Sequence, residues 1–256
     1  VLLTAIAWVP ATVFAAMRAP DRTGLYMMMM LAGETATLGA FLAQDLLLFV
    51  LFFDLMIVPF YFLFGIWGKE RDGVSVNSAT MKMIVYTLIG SLLMLVGAIA
   101  IAVISADGGP ITFSMAELTV RGLPSASQNW IFWFFAAAFL VKMPAFPLHG
   151  WVQDAYRAAP LPALAVFSAV LSKVGAYGFL RVVLPILPDA TQLFQTTLLI
   201  LAVASIIYGS VMAFTKTDLR LIVAYSSIAQ LGFITAGIFS LDSTGANGAL
   251  LQMVNH

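Results

Sequence analysis

The sequence predicts an all-α protein that crosses a membrane several times, and three observations predict it. Of 256 residues, 62% are hydrophobic and only 9% are charged. A soluble domain is about 45–50% apolar and about 25% charged, so a water-facing surface cannot be built from this composition. The apolar residues form continuous runs of about twenty, the length that crosses a hydrocarbon core about 30 Å thick. Barrel strands would instead alternate with a period of two over about ten residues, so the runs read as helices.

The runs fall at 1–17, which is short, then at 24–43, 46–67, 83–104, 130–151, 162–184, 192–214 and 220–240, with another opening at 245–256. The reading is one transmembrane domain over 1–256, with seven complete spans and a partial one at each end. No charged leader or small-residue cleavage site precedes the first run, and the last residues are still apolar, so the chain is expected to be part of a longer one. Strict alternation collects Arg18, Arg22, Lys69, Arg71, Lys82, Arg157, Lys216 and Arg220 on one side and Arg121 and Arg181 on the other. Loops rich in lysine and arginine stay inside, so the first side is expected to be cytoplasmic, or its topological equivalent, in a cell (inner or plasma) membrane. The longest loop, 105–129, then lies outside.

Two spans carry helix breakers. Pro59 lies within 46–67 and should kink it by removing a hydrogen bond and crowding the preceding turn. Pro144 and Pro147, with Gly150 behind, lie within 130–151. Either they interrupt that helix near 144–150, as in discontinuous helices that line hydrated cavities, or the helix ends at Val141 and a loop leads outward.

Composition also excludes chemistries. Net charge is zero, which offers nucleic acid nothing to bind. Cysteine is absent, so disulfides, thiolate metal sites and cysteine-ligated iron–sulfur clusters are excluded from this chain. Two histidines, His149 and His256, argue against a bis-histidine haem. No phosphate loop, zinc motif or nucleophile–base set is present. No cofactor is expected in this chain.

What stands out is charge at depth. From the rise of 1.5 Å per residue, Asp54 lies roughly 12 Å and Lys142 roughly 18 Å from the outer ends of their spans, and Lys173 roughly 16 Å from either end of its own. A charge at the bilayer centre costs at least about 2.5–3.5 kcal/mol, so these groups must pair or meet water. Asp54 with Lys142 is the natural pair. A purely structural pair that fixes helix packing would leave the second lysine alone. A lysine that is taken from water and then approached or left by a carboxylate gains and loses its proton, which outlines a proton-pumping element. Glu34 is also deep and could extend a relay or make a helix contact. Ser168 and Ser172 lie within about one turn of Lys173 and could hold water or bond the lysine. Gly175 and Gly178 thin that helix for close packing. His149 either relays protons or caps broken backbone. Asp45, Asp154 and Asp218 sit at membrane edges as anchors, and the thirteen methionines read as lipid-facing filler.

Four motifs in order resemble one family. Phe52-Phe53-Asp54-Leu55-Met56-Ile57-Val58-Pro59, running on to Phe64-Gly65-Ile66-Trp67-Gly68, resembles the helix that carries the essential acid in the antiporter-like subunits of proton-translocating NADH–quinone oxidoreductase (respiratory complex I). Val141-Lys142-Met143-Pro144-Ala145-Phe146-Pro147-Leu148-His149-Gly150-Trp151 resembles their broken helix, and Leu171-Ser172-Lys173-Val174-Gly175 the next helix with its central lysine. Asp218 to Gly232, with Tyr225, Ser226 and Ser227, resembles the opening of a second repeat. The Phe-Gly-Ile-Trp-Gly end favours the M-type, ND4-like branch.

The resemblance implies a fourteen-helix fold with two inverted five-helix repeats, of which this chain would hold the first and part of the second. It implies proton translocation driven by quinone reduction elsewhere in the complex. Flavin and iron–sulfur clusters are then expected in partner subunits, other antiporter-like membrane subunits as neighbours, and the bilayer and protons as the remaining partners. By motif position, Asp54 takes the place of the family's glutamate, Lys142 that of its paired lysine and Lys173 that of its central relay lysine. Glu34, His149, Ser172 and His256 become candidate relay positions. Asp54 reaches one methylene less than the usual glutamate, while Tyr156 and Gln230 stand where many members have histidine. The same motifs fit subunits of multi-subunit Na+/H+ antiporters and membrane-bound hydrogenases. A scaffold subunit whose charges only pack helices is the remaining alternative.

Overall fold

Caps and prolines decide where the helices begin and end. The computed structural model describes residues 1–18 and 20–256. Its helices are α1 (Leu2–Arg18), α2 (Thr23–Leu42), α3 (Leu46–Leu55), α4 (Ile57–Trp67), α5 (Val76–Ala106), α6 (Met115–Arg121), α7 (Ser125–Lys142), α8 (Val152–Ala158), α9 (Leu161–Ile186), α10 (Pro188–Phe214), α11 (Leu219–Phe239) and α12 (Ser243–Asn255). Six elements are long and apolar enough to cross a membrane: α2, α3 with α4, α5, α9, α10 and α11.

The starts follow side-chain caps, which satisfy first-turn N–H groups that have no intrahelical partner. Asp45 Oδ1 accepts from Leu48 N at 3.0 Å, Ser75 Oγ from Ser78 N at 3.2 Å and Asp218 Oδ1 from Arg220 N at 2.9 Å. Asp242 caps α12 through Gly245 N at 2.8 Å, and that bond holds its carboxyl below the usual carboxylate range. The Ser75 cap explains why α5 begins at Val76 and not near 83. Hydropathy fades over Asn77, Ser78, Thr80 and Lys82, yet the cap starts the helix there and Lys82 pairs with Asp154.

Buried stripes on the helices define how they pack. On α2 they are Tyr26, Met30, Gly33, Thr37 and Ala40, and on α5 Met83, Thr87, Gly90, Ser91, Met94, Gly97, Ala98 and Ile101, the three-and-four spacing of one helical face. The opposite face of α5 exposes Leu92, Val96, Ile99 and Val103, and α10 exposes Leu193, Ile200, Val203, Ile207 and Val211. Apolar faces of this length belong against lipid or a neighbouring membrane subunit. Helix α9 is the inner element: 72% of its apolar window is buried, against 22% for α10. Thus α9 carries its lysine through the middle of the bundle.

Close crossings set where the helices can sit. A Cβ on Gly90 would meet Ala138 Cα of α7 at 3.0 Å, and one on Gly209 of α10 would lie 2.7 Å from both Tyr225 O and Ala229 N of α11. Backbone cannot yield as a flexible side chain can. We predict that Gly209→Val destabilises by about 1–3 kcal/mol. Thermal unfolding of the detergent-solubilised complex with the full-length subunit measures it. Gly65→Ala, whose Cβ meets nothing within 4 Å, should stay within about 1 kcal/mol of the parent.

Candidate proton-transfer site

Proline chemistry positions the first lysine. Pro144 has no N–H for Leu140 O, and Ala145 N donates to that carbonyl instead, at 2.9 Å. This takes the amide that Val141 O would have bonded one turn on, and the Trp151 indole N–H fills the vacancy at 3.1 Å. Phe146 N turns away from the helix and donates to Ser205 Oγ on α10 at 2.9 Å. The carbonyls of Leu140 and Val141 and the amide of Phe146 therefore all find partners, as backbone at membrane depth needs. Helix α7 stops at Lys142, turns occupy 143–151, and α8 resumes at Val152. The helical part of the expected run 130–151 thus ends at Lys142, one residue past the Val141 end that the sequence left open.

A second proline sets the acid. Pro59 cannot donate to Leu55 O, so the helix breaks at Met56 between α3 and α4. Asp54 lies one residue before the last of α3. Its Oδ1 is buried with no hydrogen-bond partner, and Ser91 of α5 and Lys142 of α7 are the polar groups that act on it.

The direct Asp54–Lys142 ion pair suggested by their signs is not formed. Among the described residues the ion pairs are Lys82–Asp154, Arg121–Glu117 and Arg157–Asp72. Lys142 is 5% exposed and its Nζ lies over the Phe53 ring, 4.8 Å from the centroid. The physical reason is reach: an aspartate is one methylene shorter than a glutamate, and the neighbouring ring occupies the approach. A cavity of about 10 Å³ beside Lys142 is lined by Met56, Ile57, Phe60, Met83, Thr87, Phe167 and Leu171, close to the smallest volume that holds a water.

Lys173 is held differently. It is 1% exposed, on a short α-helical stretch of α9 between two π-helical segments, Phe167–Leu171 and Phe179–Val183. A π turn widens the helix and disturbs its ladder. At this one Ser168 O accepts from Lys173 Nζ at 2.9 Å and from Ser172 Oγ at 3.2 Å. His256, 83 positions on in sequence, lies within electrostatic range of Lys173, and its Nε2 is buried without a partner.

The remaining candidates are spread out. Glu34 is half-buried on α2 and joins none of these ion pairs. His149 is buried in the turn region, stacked on Phe146 and against Tyr208 at 4.7 Å, with Nδ1 unpartnered. Gln230 bonds Gln252 across α11 and α12. The structure therefore brings together Asp54 with Lys142, and Lys173 with Ser172 and His256. Sequence reasoning missed Phe53, Ser91, Trp151, Ser205 and Arg220. The aromatic next to the buried acid was the one available signal, and the others depend on contacts between distant elements. Among the described residues, no three His, Cys, Asp or Glu side chains group to hold a metal ion.

The basic residues collect at one end. Arg18, Lys69, Arg71 and Arg220 line one cavity of about 650 Å³, and Arg71, Arg157 and Lys216 another of about 790 Å³. Arg220 Nη1 donates to Tyr156 O at 2.9 Å, Arg157 O at 3.1 Å and Ala159 O at 2.6 Å, closing the turn after α8. Hydrogen bonds from charged donors are worth about 1.5–3 kcal/mol. Arg220→Ala should therefore speed amide exchange across 156–164 by about tenfold or more, while α5 stays unchanged. Hydrogen–deuterium exchange mass spectrometry reads both.

Residues 43–256 match the family described as NADH:quinone oxidoreductase/Mrp antiporter, TM. The chain is 41% identical over 244 residues to NAD(P)H-quinone oxidoreductase chain 4 2 of Thermosynechococcus vestitus, covering 95% of this chain and 44% of that protein. It is 38% identical over 256 residues to NADH-quinone oxidoreductase subunit M of Rhodobacter capsulatus, covering 96% and 49%. The chain thus spans about half the length of the curated relatives it matches. Among solved structures, a chain of respiratory complex I from Thermus thermophilus with bound NADH superposes with a TM-score of 0.87 at 30% identity, over 98% of this chain and 53% of that one. A chain of the Mrp complex from Dietzia sp. shares the fold, with a TM-score of 0.74 at 24% identity, over 89% and 42%.

Proposed function

The chain belongs to the NADH:quinone oxidoreductase/Mrp antiporter transmembrane family, and from that premise we propose that it is the part of an M-type, ND4-like subunit through which protons cross the membrane. The observation that carries this reading is two lysines, 5% and 1% exposed, deep in an apolar bundle with no carboxylate in ion-pair contact. A permanent ammonium is costly in such a place. A group that takes up and hands on a proton, with water or a mobile carboxylate to assist, is charged only while it must be.

In this reading Lys142 and Lys173 are successive proton sites along the membrane plane. Asp54 sets how firmly Lys142 holds its proton. A conformational or electrostatic signal from neighbouring membrane subunits, driven by quinone reduction elsewhere, changes the Asp54–Lys142 separation and releases the proton toward Lys173. Ser172 and His256 surround the second site, and Glu34 and His149 flank the path. The 143–151 turns are read as the break of a discontinuous helix lining that path, the spans as one inverted five-helix repeat and part of another, and the basic end as the cytoplasmic face of the cell membrane. Flavin and iron–sulfur clusters belong to partner subunits. The M-type reading is favoured over a sodium/proton antiporter because relatives named as chain 4 or subunit M are 37–41% identical to this chain.

The test uses the full-length subunit within its complex in sealed membrane vesicles. Asp54→Asn and Lys142→Ala should each slow NADH-driven proton transport by about tenfold, the effect of about 1.4 kcal/mol on a transfer barrier. Wild-type proton-to-electron ratios in both variants would overturn the reading.

A further inference from the structure

Lys142 has two seats on one turn of α3. One, not taken up in this structure, is the carboxylate of Asp54, which makes no ion pair with it. The other is the ring of Phe53, whose face receives Nζ at 4.8 Å from the centroid, inside the roughly 6 Å range of cation–π attraction. The ring is not free to drift. It is 1% exposed and lies between Phe49 of its own helix, at 5.9 Å, and Phe139 of α7, at 5.8 Å. Phe139 is itself one turn before Lys142, so the lysine stem and the ring are carried by the same packed contact. In this arrangement the ammonium occupies the ring and Asp54 Oδ1 is left buried without a partner.

The surroundings leave little else to hold the charge. Asp54 is the charged group that acts on Lys142. The groups facing it from α4, α5 and α9 are uncharged: Phe60, Met83, Thr87 and Leu171 among them.

We infer that Phe53 is a positioning residue that seats the Lys142 ammonium whenever the Asp54 contact is open. The attraction comes from the ring quadrupole and acts on the charged form alone. It therefore lowers the cost of separating the acid from the lysine, and it keeps the proton on Lys142 until the next site can accept it. Without the seat, opening the contact would strand an ammonium in an apolar pocket, and the proton would leave before its acceptor was in place. The inference rests on the reading of Lys142 as a proton site.

The experiment replaces Phe53 in the full-length subunit with mono-, di- and trifluorinated phenylalanine, which withdraws the negative face of the ring in steps while nearly keeping its shape. Proton transport by the complex in vesicles is then followed against pH. The expected result is a stepwise fall reaching about tenfold for the trifluorinated ring, with the alkaline limb of the pH profile moving to lower pH at each step. Phe53→Trp, which keeps a π face, should retain transport, and Phe53→Leu should resemble the trifluorinated ring. An unchanged rate and pH profile across the fluorinated series overturns the seat, even if Phe53→Leu fails to assemble. Lys142→Ala in parallel separates the two ideas: wild-type transport there removes the proton site itself, whereas lost transport there with an indifferent ring removes only Phe53.

Discussion

Backbone groups inside a bilayer have no water to turn to, and in this protein Pro59 and Pro144 each take one partner away. The consequences can be followed bond by bond. At Pro144 the orphaned carbonyl of Leu140 takes Ala145 N, the carbonyl of Val141 takes the Trp151 indole, and Phe146 N takes Ser205 Oγ. At Pro59 the helix simply parts at Met56. Both repairs leave a charged residue at a helix end: Lys142 closes α7 and Asp54 nearly closes α3. A side chain at a helix end is freer to change its aim than one locked in mid-helix, which suits the movement that the proposed mechanism asks of Asp54 and Lys142.

The two lysines solve the same desolvation problem with different materials. Lys173 folds back onto Ser168 O beside a π-helical segment of its own helix, a polar solution built locally. Lys142 lies on the face of Phe53 from another helix, a solution built from packing. A lysine ammonium is a compact charge on a flexible stem, and it can use either. The difference would matter for the proposed transfer, because the carbonyl seat moves with α9 whereas the ring seat depends on how α3 and α7 stand relative to each other. A small shift between those two helices reaches Lys142 before it reaches Lys173.

Much of this was legible in the sequence, and what was not has a common cause. Continuous apolar runs located the helices because burial in lipid needs no periodic pattern. The polar start of α5 escaped hydropathy, since a cap and an interfacial ion pair support it where apolarity does not. That Asp54, Lys142 and Lys173 would lie within apolar helices could be read from their runs, and the structure buries both lysines. Their partners did not follow. Ser205 beneath Phe146, Ser91 beside Asp54 and His256 beside Lys173 are meetings of residues tens of positions apart. Opposite signs suggested that Asp54 would hold Lys142, but sign says nothing of reach, and one methylene and a neighbouring ring decide the contact.

The placement of the ion pairs argues against a scaffold. Among the described residues the carboxylates in ion pairs are Asp72, Glu117 and Asp154, all beside exposed surface at the ends of the bundle, where such pairs are worth about 0–1 kcal/mol. The deep charges, whose pairing would relieve the greatest cost, are left outside ion-pair contact. A bundle shaped only for stability would do the reverse: it would pair or delete its interior charges, because replacing a buried pair by apolar side chains is often neutral or stabilising. Leaving Asp54 out of ion-pair contact beside an ammonium seated on a ring fits the proposal that the contact between them is made and broken.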